Sequence, residues 1–218
     1  TGVLAAILIG TALIAHAQKK INEGTITYGM EYDLTADQQA VADQLPTETK
    51  VKFNGSITKL EMEQGPATIA VISDNLSHTG LVLIDVPMAQ MQFAVKQEKA
   101  EYEKKKAAEP KFSDFKATGE KKVINGYNTE KYTYKDDKGG TYELWSTLDI
   151  ELPLGLVDEN FKDVKGALVK FTQFQNGVKS TLTIKSIKEE KTGPFSLEVP
   201  SGYELKTMEE IMAMQGGE

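Results

Sequence analysis

The chain has 218 residues, of which 40% are hydrophobic and 26% are charged, and its formal net charge is −7. These values fit a globular protein with one sizeable apolar core. The acidic balance argues against nucleic-acid binding, which needs a basic face. All the basic residues other than histidine are lysines and no cysteine is present. The sequence therefore lacks arginine forks for specific polyanion binding, disulfides and thiolate metal sites.

An uncharged apolar run, Val3–Ala15, opens the chain and leads into Ala17 through a small-x-small pattern typical of signal peptidase sites. The run is shorter than the roughly 20 residues that a membrane span needs. We therefore expect residues 1–17 to be a signal peptide cleaved after Ala17, and residues 18–218 to form a single periplasmic domain; a buried core helix is the alternative for the run. Position 18 is Gln18 rather than cysteine, so we expect no acyl anchor and no transmembrane segment in the mature form.

The first half of the mature chain is rich in strand patterns. Apolar and polar residues alternate along Thr25–Leu34, and Thr35 with Gln38 forms a capping-box pattern that predicts a short helix ending before Pro46. Further strands are predicted over 49–53 and 57–63, separated by the turn signal Asn54-Gly55, and over 68–73, 81–86 and 91–96. The runs 68–73 and 81–86 are apolar on both faces, which predicts central strands.

Glu98–Ala108 predicts a helix by propensity, and Pro110 follows its end. Its lysines could contact anionic lipid, but the interleaved glutamates favour a solvated helix face. A strand is predicted over Phe115–Lys122, and residues 148–165 are irregular in pattern.

The central feature of the sequence is a predicted hairpin that contains the single tryptophan. Its arms are Tyr127–Lys135 and Thr141–Thr147, and residues 136–140 supply a polar turn with two glycines. A second hairpin is predicted to join Ala167–Phe174 to Val178–Ile187 around an Asn-Gly pair. Phe195–Val199 is predicted to be a last strand, and a capping box at Thr207 predicts a short terminal helix.

The elements contain no βαβ alternation, so the sequence predicts a mainly β (α+β) fold. The economical arrangement is one curved antiparallel sheet or open half-barrel with short helices.

The sequence contains no recognisable catalytic motif. His78 is the one histidine beyond the predicted signal peptide, and its polar neighbours favour a solvated loop position. Asp158, Glu159, Asn160 and Asp163 could form a weak calcium site, but their order does not match an EF-hand loop. Asp136 and Asp137 are better explained by turn chemistry than by calcium binding. We therefore predict a non-enzymatic protein with no catalytic residue, no metal site and no cofactor.

Methionines form two sequence groups that could bind Cu(I) through their thioethers. The groups are Met88 with Met91, and Met208 with Met212 and Met214. Because no histidine or cysteine joins either group, we favour core packing over copper binding.

A larger set of aromatic and apolar residues is predicted to face the inside of the sheet. These residues suit either a closed core or a pocket for an apolar ligand, and both readings remain open. The candidate ligand-binding residues are Tyr28, Met30, Tyr32, Leu60, Met62, Tyr132, Tyr134, Leu144 and Trp145.

Several short motifs carry a family resemblance. They are Glu23–Tyr28, the Leu45–Thr47 lead into Lys50–Phe53, Ile124–Tyr127 with Lys131, the Trp145 strand, and Phe195–Tyr203. Together they resemble an uncharacterised family of exported Gram-negative envelope proteins that is related to the outer-membrane lipoprotein carriers LolA and LolB.

The resemblance implies a LolA-like half-barrel whose concave side holds helices over a hydrophobic cavity. In the carriers this cavity receives acyl chains and a cavity arginine helps to control release. Here Lys59 stands where relatives often have arginine, and Thr129 replaces a cysteine of the relatives. We therefore expect a periplasmic binding protein that shelters a lipid or another apolar ligand rather than a true lipoprotein carrier. The alternative is an envelope structural or interaction protein with an envelope protein partner and no small-molecule ligand.

Overall fold

A computed structural model describes residues 18–156, 158–175 and 177–215. The predicted signal peptide, residues 1–17, lies outside these ranges, and so does Asn176 of the second predicted hairpin. Fourteen strands, two α-helices and three short 3₁₀ helices form the described chain. The strands are β1 (Lys19–Lys20), β2 (Glu23–Asp33), β3 (Glu48–Asn54), β4 (Ile57–Gln64), β5 (Ala67–Asp74), β6 (Thr79–Val86), β7 (Met91–Gln97), β8 (Phe112–Ile124), β9 (Tyr127–Asp136), β10 (Thr141–Thr147), β11 (Ile150–Glu151), β12 (Ala167–Gln175), β13 (Val178–Glu189) and β14 (Glu204–Leu205). The α-helices are α1 (Lys99–Ala108) and α2 (Met208–Gln215), and the 3₁₀ helices are Ala36–Gln44, Pro87–Ala89 and Glu159–Phe161.

Twelve strands form one large sheet in the order β14-β7-β6-β5-β4-β3-β2-β13-β12-β10-β9-β8. Neighbouring strands are antiparallel except for the short parallel pair of β14 with β7. The sheet is curved and does not close, because β14 and β8 are its two edges. A separate parallel pair joins β1 to β11. The predicted mainly β fold with a curved, open antiparallel sheet is confirmed.

Local sequence signals explain the turns of this sheet. Gly55 has a φ of +58° in the β3–β4 turn, a backbone conformation that favours glycine. In the β9–β10 turn, the Asp136 carboxylate accepts hydrogen bonds from Lys138 N at 2.9 Å, Gly140 N at 2.6 Å and the Tyr142 hydroxyl at 2.8 Å. These bonds confirm that Asp136 acts through turn chemistry.

The inner face of the sheet carries two closed apolar cores. One core contains Ile26, Phe53, Val169 and Ile184, which are at most 2% exposed, and it also packs against Ile150 of β11. The second core gathers aromatic rings from β8, β9, β10 and β12 around Phe161 of the third 3₁₀ helix. These cores fill the part of the half-barrel formed by β2, β13, β12, β10 and β9.

Helix α1 connects β7, next to one edge of the sheet, to β8 at the other edge. None of its described side chains is buried. Two contacts hold it: the Tyr102 ring stacks on His78 with centroids 4.5 Å apart, and Lys106 Nζ lies 2.5 Å from Asp158 Oδ2. The expectation of a solvated His78 is therefore wrong, since its side chain is only 15% exposed and also lies 3.4 Å from Glu159 Oε1. Its partners, Tyr102 and Glu159, are distant in sequence, so no local sequence pattern predicts these contacts.

The C-terminal segment wraps around one edge of the sheet. The Thr192 hydroxyl donates to Phe53 O at 2.7 Å, and the Tyr203 hydroxyl donates to Asp85 Oδ2. The segment between these anchors therefore runs from β3 to β6, and it continues as β14 at the edge and then as α2, which packs on the inner face through Ile211. The predicted strand Phe195–Val199 is wrong, because this segment crosses the strands rather than pairing with them.

Candidate functional site

Two rows of apolar side chains run across the inner face of strands β3 to β7. Cross-strand register defines the first row, Val51, Leu60, Val71, Val82 and Val95. The second row consists of Met62, Ile69, Ile84 and Phe93. Directly opposed side chains in a sheet contact one another, so the rows form a continuous apolar surface.

One end of these rows is covered by α2. Ile211 of α2 is 7% exposed and forms a small core with Phe93 and Val95, against which Val82 and Ile84 pack. The capping box at Thr207 fixes the start of this helix, since Thr207 N donates to Glu210 Oε2 at 2.7 Å and Glu210 N donates to Thr207 Oγ1 at 3.2 Å.

The middle of the rows belongs to none of the three apolar cores. Leu60, Ile69 and Val71 are half-buried, and Met62 is 41% exposed. We call these four residues the apolar trough. It lies on β4 and β5, between the large cores on one side and the small core under α2 on the other. The half-barrel therefore has a filled part and an open apolar part.

The nine predicted site residues separate into distinct environments. Leu60 and Met62 lie in the trough, and Tyr28, Met30 and Tyr32 are half-buried on the inner face of β2. Tyr132, Tyr134 and Leu144 are buried in the aromatic core, where they fill space rather than line an open trough. Burial raises the pKa of Tyr134 to about 12, so its phenol remains neutral at ordinary pH.

Trp145 corrects the predicted inward orientation. It follows Leu144 in β10, and consecutive residues of a strand point to opposite faces. The structure places Trp145 on the outer face beside its cross-strand neighbour Lys131. Lys122 Nζ lies 3.8 Å from the centroid of its ring, a cation–π contact.

Lys59 also lies on the outer face. It alternates with Leu60 along β4, and its Nζ pairs with Glu61 Oε1 at 2.9 Å. Glu61 also pairs with Lys52 at 2.8 Å. Lys59 therefore does not supply a cation inside the half-barrel, which is the place that the resemblance implies for the carrier arginine.

The packing interpretation of the methionine groups is wrong. Met88 is 91% exposed, Met212 is 60% exposed and Met214 is 54% exposed. Met208 and Met91 are 38% and 43% exposed. Met208 and Met212 share a helix face by their spacing of one turn, but Ile211 is the one buried side chain among those that the structure describes in this helix.

A cleft of about 390 Å³ opens beside β8, β9 and β10. The exposed Val123 and Leu148 line it together with the buried Tyr132, and Lys121 and Lys165 lie on its border. Tyr132 is therefore the member of the aromatic core that also contributes to an open surface.

The side chains of the trough are hydrocarbon and thioether groups and carry no charge. Within the described ranges, no group of three or more histidine, cysteine, aspartate or glutamate side chains is arranged to hold a metal ion. Neither of the α-helices nor any other described helix is long and apolar enough to cross a membrane. Chemically, the trough can remove an apolar group from water.

Sequence reasoning missed Ile69 and Val71 of the trough. The available signal was in β4, where Lys59, Glu61 and Glu63 alternate with the apolar residues. That alternation marks one apolar face, and antiparallel pairing extends the face to the odd-numbered residues of β5.

Comparison with known proteins adds a family but no function. No curated protein matches the chain. Residues 37–153 match the model of a domain of unknown function, DUF4412, and this segment includes both strands of the trough. The match covers more than half of the chain, so the protein belongs to the DUF4412 family.

Proposed function

We propose that this protein is a non-enzymatic periplasmic binding protein that shelters an apolar ligand, such as a lipid acyl chain, against the apolar trough. The observation that carries the proposal is the uncovered stretch of the two inner-face rows, where Met62 remains 41% exposed inside a half-barrel. An exposed apolar surface enclosed by a concave sheet is a common ligand-binding feature.

The shape of the half-barrel supports this use of the trough. Helix α1 buries none of its own side chains, so it does not fill the trough. Helix α2 covers the neighbouring strands through Ile211. An apolar chain lying on β4 and β5 would extend the apolar surface that α2 already covers.

The motif resemblance to the family related to LolA and LolB agrees with an acyl-chain ligand. Lys59 argues against the carriers' own mode of release, since it is paired with Glu61 on the outer face. We therefore propose ligand sheltering rather than transfer of lipoproteins. The export expected from residues 1–17 would bring the protein to a compartment bounded by two membranes.

Lipid extraction followed by mass spectrometry of protein purified without detergent tests the proposal. We expect a co-purified lipid or fatty acid, and we expect the stripped protein to bind a fluorescent fatty acid. Protein free of lipid that also fails to bind the fluorescent fatty acid would contradict the proposal and favour the envelope interaction protein.

A matched pair of variants locates the binding site. Met62→Glu places a charge in the trough, whereas Met88→Glu makes the same change at a side chain that is 91% exposed in the turn between β6 and β7. Because an unpaired charge must stay hydrated, we expect Met62→Glu to weaken fatty-acid binding by about tenfold or more. Met88→Glu should leave binding unchanged. Equal affinities for the two variants would place the ligand elsewhere.

A further inference from the structure

A second cleft, of about 410 Å³, is lined by Gly29, Lys170 and Thr183, and their cross-strand register places them on the face of the sheet opposite to the trough. Met30 of the inner face also borders this cleft. Its floor is the outer face of β2, β12 and β13, and its wall is the tip of the β8–β9 hairpin. The residues that matter here are Lys122 and Asn125 from the tip, and Lys170, Thr183 and Lys185 from the floor.

The hairpin tip is fixed against the sheet. Asn125 Nδ2 donates a hydrogen bond to Ile184 O at 2.8 Å, at the point where the register of β13 with β2 shifts. Ile124, beside Asn125, packs against the neighbouring apolar core. The wall of the cleft is therefore built by specific contacts and is formed before any ligand binds.

The charge in this cleft is opposite to that of the whole protein. Three lysines line it, Lys122, Lys170 and Lys185, against two carboxylates, Glu31 in the lining and Glu48 paired with Lys185. The protein as a whole carries a formal charge of −7. A local excess of positive charge in a cleft attracts anions, because the low-dielectric walls concentrate the field.

Each lysine is held by its surroundings. Lys122 Nζ rests 3.8 Å above the Trp145 ring. Lys185 lies over Gly29, where an added Cβ would come within 2.8 Å of its Cε, and its Nζ is 3.0 Å from Glu48 Oε2. Lys170 is half-buried next to Trp145 and has no carboxylate within 4.0 Å among the described residues.

We propose that this cleft binds a small phosphate-bearing anion. Lysines from β8, β12 and β13 converge on one space, which suits an anion with several charged oxygens better than a single carboxylate. Lysine binds phosphate as a point charge and needs no bidentate geometry, so the absence of arginine does not weaken this assignment. Thr47 and Thr183, which carry hydroxyl donors, line the same cleft.

The phosphate can come from free phosphate or from a phospholipid headgroup, and two arms of one experiment separate them. In the first arm, inorganic phosphate is titrated into ¹⁵N-labelled protein against sodium chloride of equal ionic strength, and the amide signals of Thr47, Thr183 and Gly29 are followed. In the second arm, the protein is sedimented with vesicles of phosphatidylcholine, with or without phosphatidylglycerol.

Three variants make the test specific. Lys170→Gln removes a cleft charge, and Lys104→Gln removes an equal charge from an exposed position of α1. Gly29→Ala displaces Lys185 without changing the net charge. We expect Lys170→Gln to weaken anion binding by about threefold to tenfold, consistent with the loss of one charge-assisted contact. Gly29→Ala should also weaken binding, and Lys104→Gln should have little effect.

Each outcome decides the proposal. Phosphate-dependent shifts that Lys170→Gln weakens establish a site for free phosphate. Sedimentation with phosphatidylglycerol vesicles that Lys170→Gln weakens, without shifts from inorganic phosphate, establishes a site for a lipid headgroup. Binding in neither arm, or equal effects of Lys170→Gln and Lys104→Gln, would overturn the proposal. The fatty-acid measurement at the trough does not enter this test, because the two sites lie on opposite faces.

Discussion

The distinction between the filled and the open part of the half-barrel can be measured by truncating one side chain in each. Leu144→Ala acts in the aromatic core, where Leu144 has no exposed surface and packs in the cluster with Tyr132, Tyr134 and Phe161. Met62→Ala acts in the trough, where the side chain is already 41% exposed. Both changes remove about the same volume of apolar side chain.

The expected costs differ because burial and cavity formation differ. Removing a fully buried leucine side chain forfeits its transfer free energy and leaves a cavity, which together amount to about 3–5 kcal/mol. Removing the part-exposed Met62 forfeits only a fraction of the transfer free energy and leaves no enclosed cavity, so we expect about 1 kcal/mol.

Urea denaturation followed by circular dichroism gives both free energies of unfolding, provided that the slope with urea stays constant between variants. A fatty acid should stabilise the wild type and Leu144→Ala by similar increments, and Met62→Ala by a smaller one. A cost for Met62→Ala equal to that of Leu144→Ala would show that the trough is closed core and would refute the reasoning.

Three further predictions concern single contacts. First, Tyr142 donates to Asp136, and Lys138 N and Gly140 N also donate to it, which lowers the pKa of this carboxyl below its usual value. The stabilisation that Asp136 provides is present above the unfolded-state pKa of about 3.9 and is lost as pH falls through the lower folded-state pKa. Asp136→Ala should therefore lower Tm at pH 7 and reduce the loss of Tm on acidification. An unchanged dependence of Tm on pH would contradict this prediction. Second, Trp145 is 5% exposed on the outer face, so its emission should be blue-shifted and should not respond to a fatty acid in the trough; quenching by a brominated fatty acid would contradict the trough site. Third, His78→Ala should loosen α1, because it removes the ring stack with Tyr102, which is worth roughly 0.5–1.5 kcal/mol. Amide hydrogen exchange should become faster in α1 but not in β9 and β10. Unchanged exchange in α1 would contradict the role of His78 in holding this helix.

The strands were predictable because each carries its own local evidence. Alternation along Thr25–Leu34 and turn residues such as Gly55 specify a strand and its end without reference to the rest of the chain. The central hairpin was predicted to within a residue for the same reason, since β9 begins at Tyr127 and β10 ends at Thr147. Antiparallel sheets with short connections depend mostly on such local signals.

The errors arose where a pattern has two physical causes. The alternating segment Phe195–Val199 has one covered side because it lies across the sheet, and a paired strand would give the same pattern. The methionines of α2 have helical spacing, but spacing does not say how many of them the neighbouring strands can cover. Two large apolar residues in succession, Leu144 and Trp145, cannot both face inward from one strand.

The candidate site was only partly predictable, because it depends on which part of the apolar face the helices and loops leave uncovered. Leu60 and Met62 were expected to face inward, and alternation sufficed for that. Whether they face a closed core depends on the placement of α1, α2 and Phe161, which approach from distant parts of the sequence. The lysine cleft depends likewise on the hairpin tip meeting β13, and the sequence carries no local signal for that contact.

Photocrosslinking with a fatty acid that carries a diazirine on its acyl chain tests the trough most directly. After irradiation and digestion, we predict labelled peptides from Ile57–Gln64 and Ala67–Asp74, the two strands of the trough. An excess of unlabelled fatty acid should remove this labelling. Labels confined to other strands, or labelling that unlabelled fatty acid does not reduce, would contradict a ligand site in the trough.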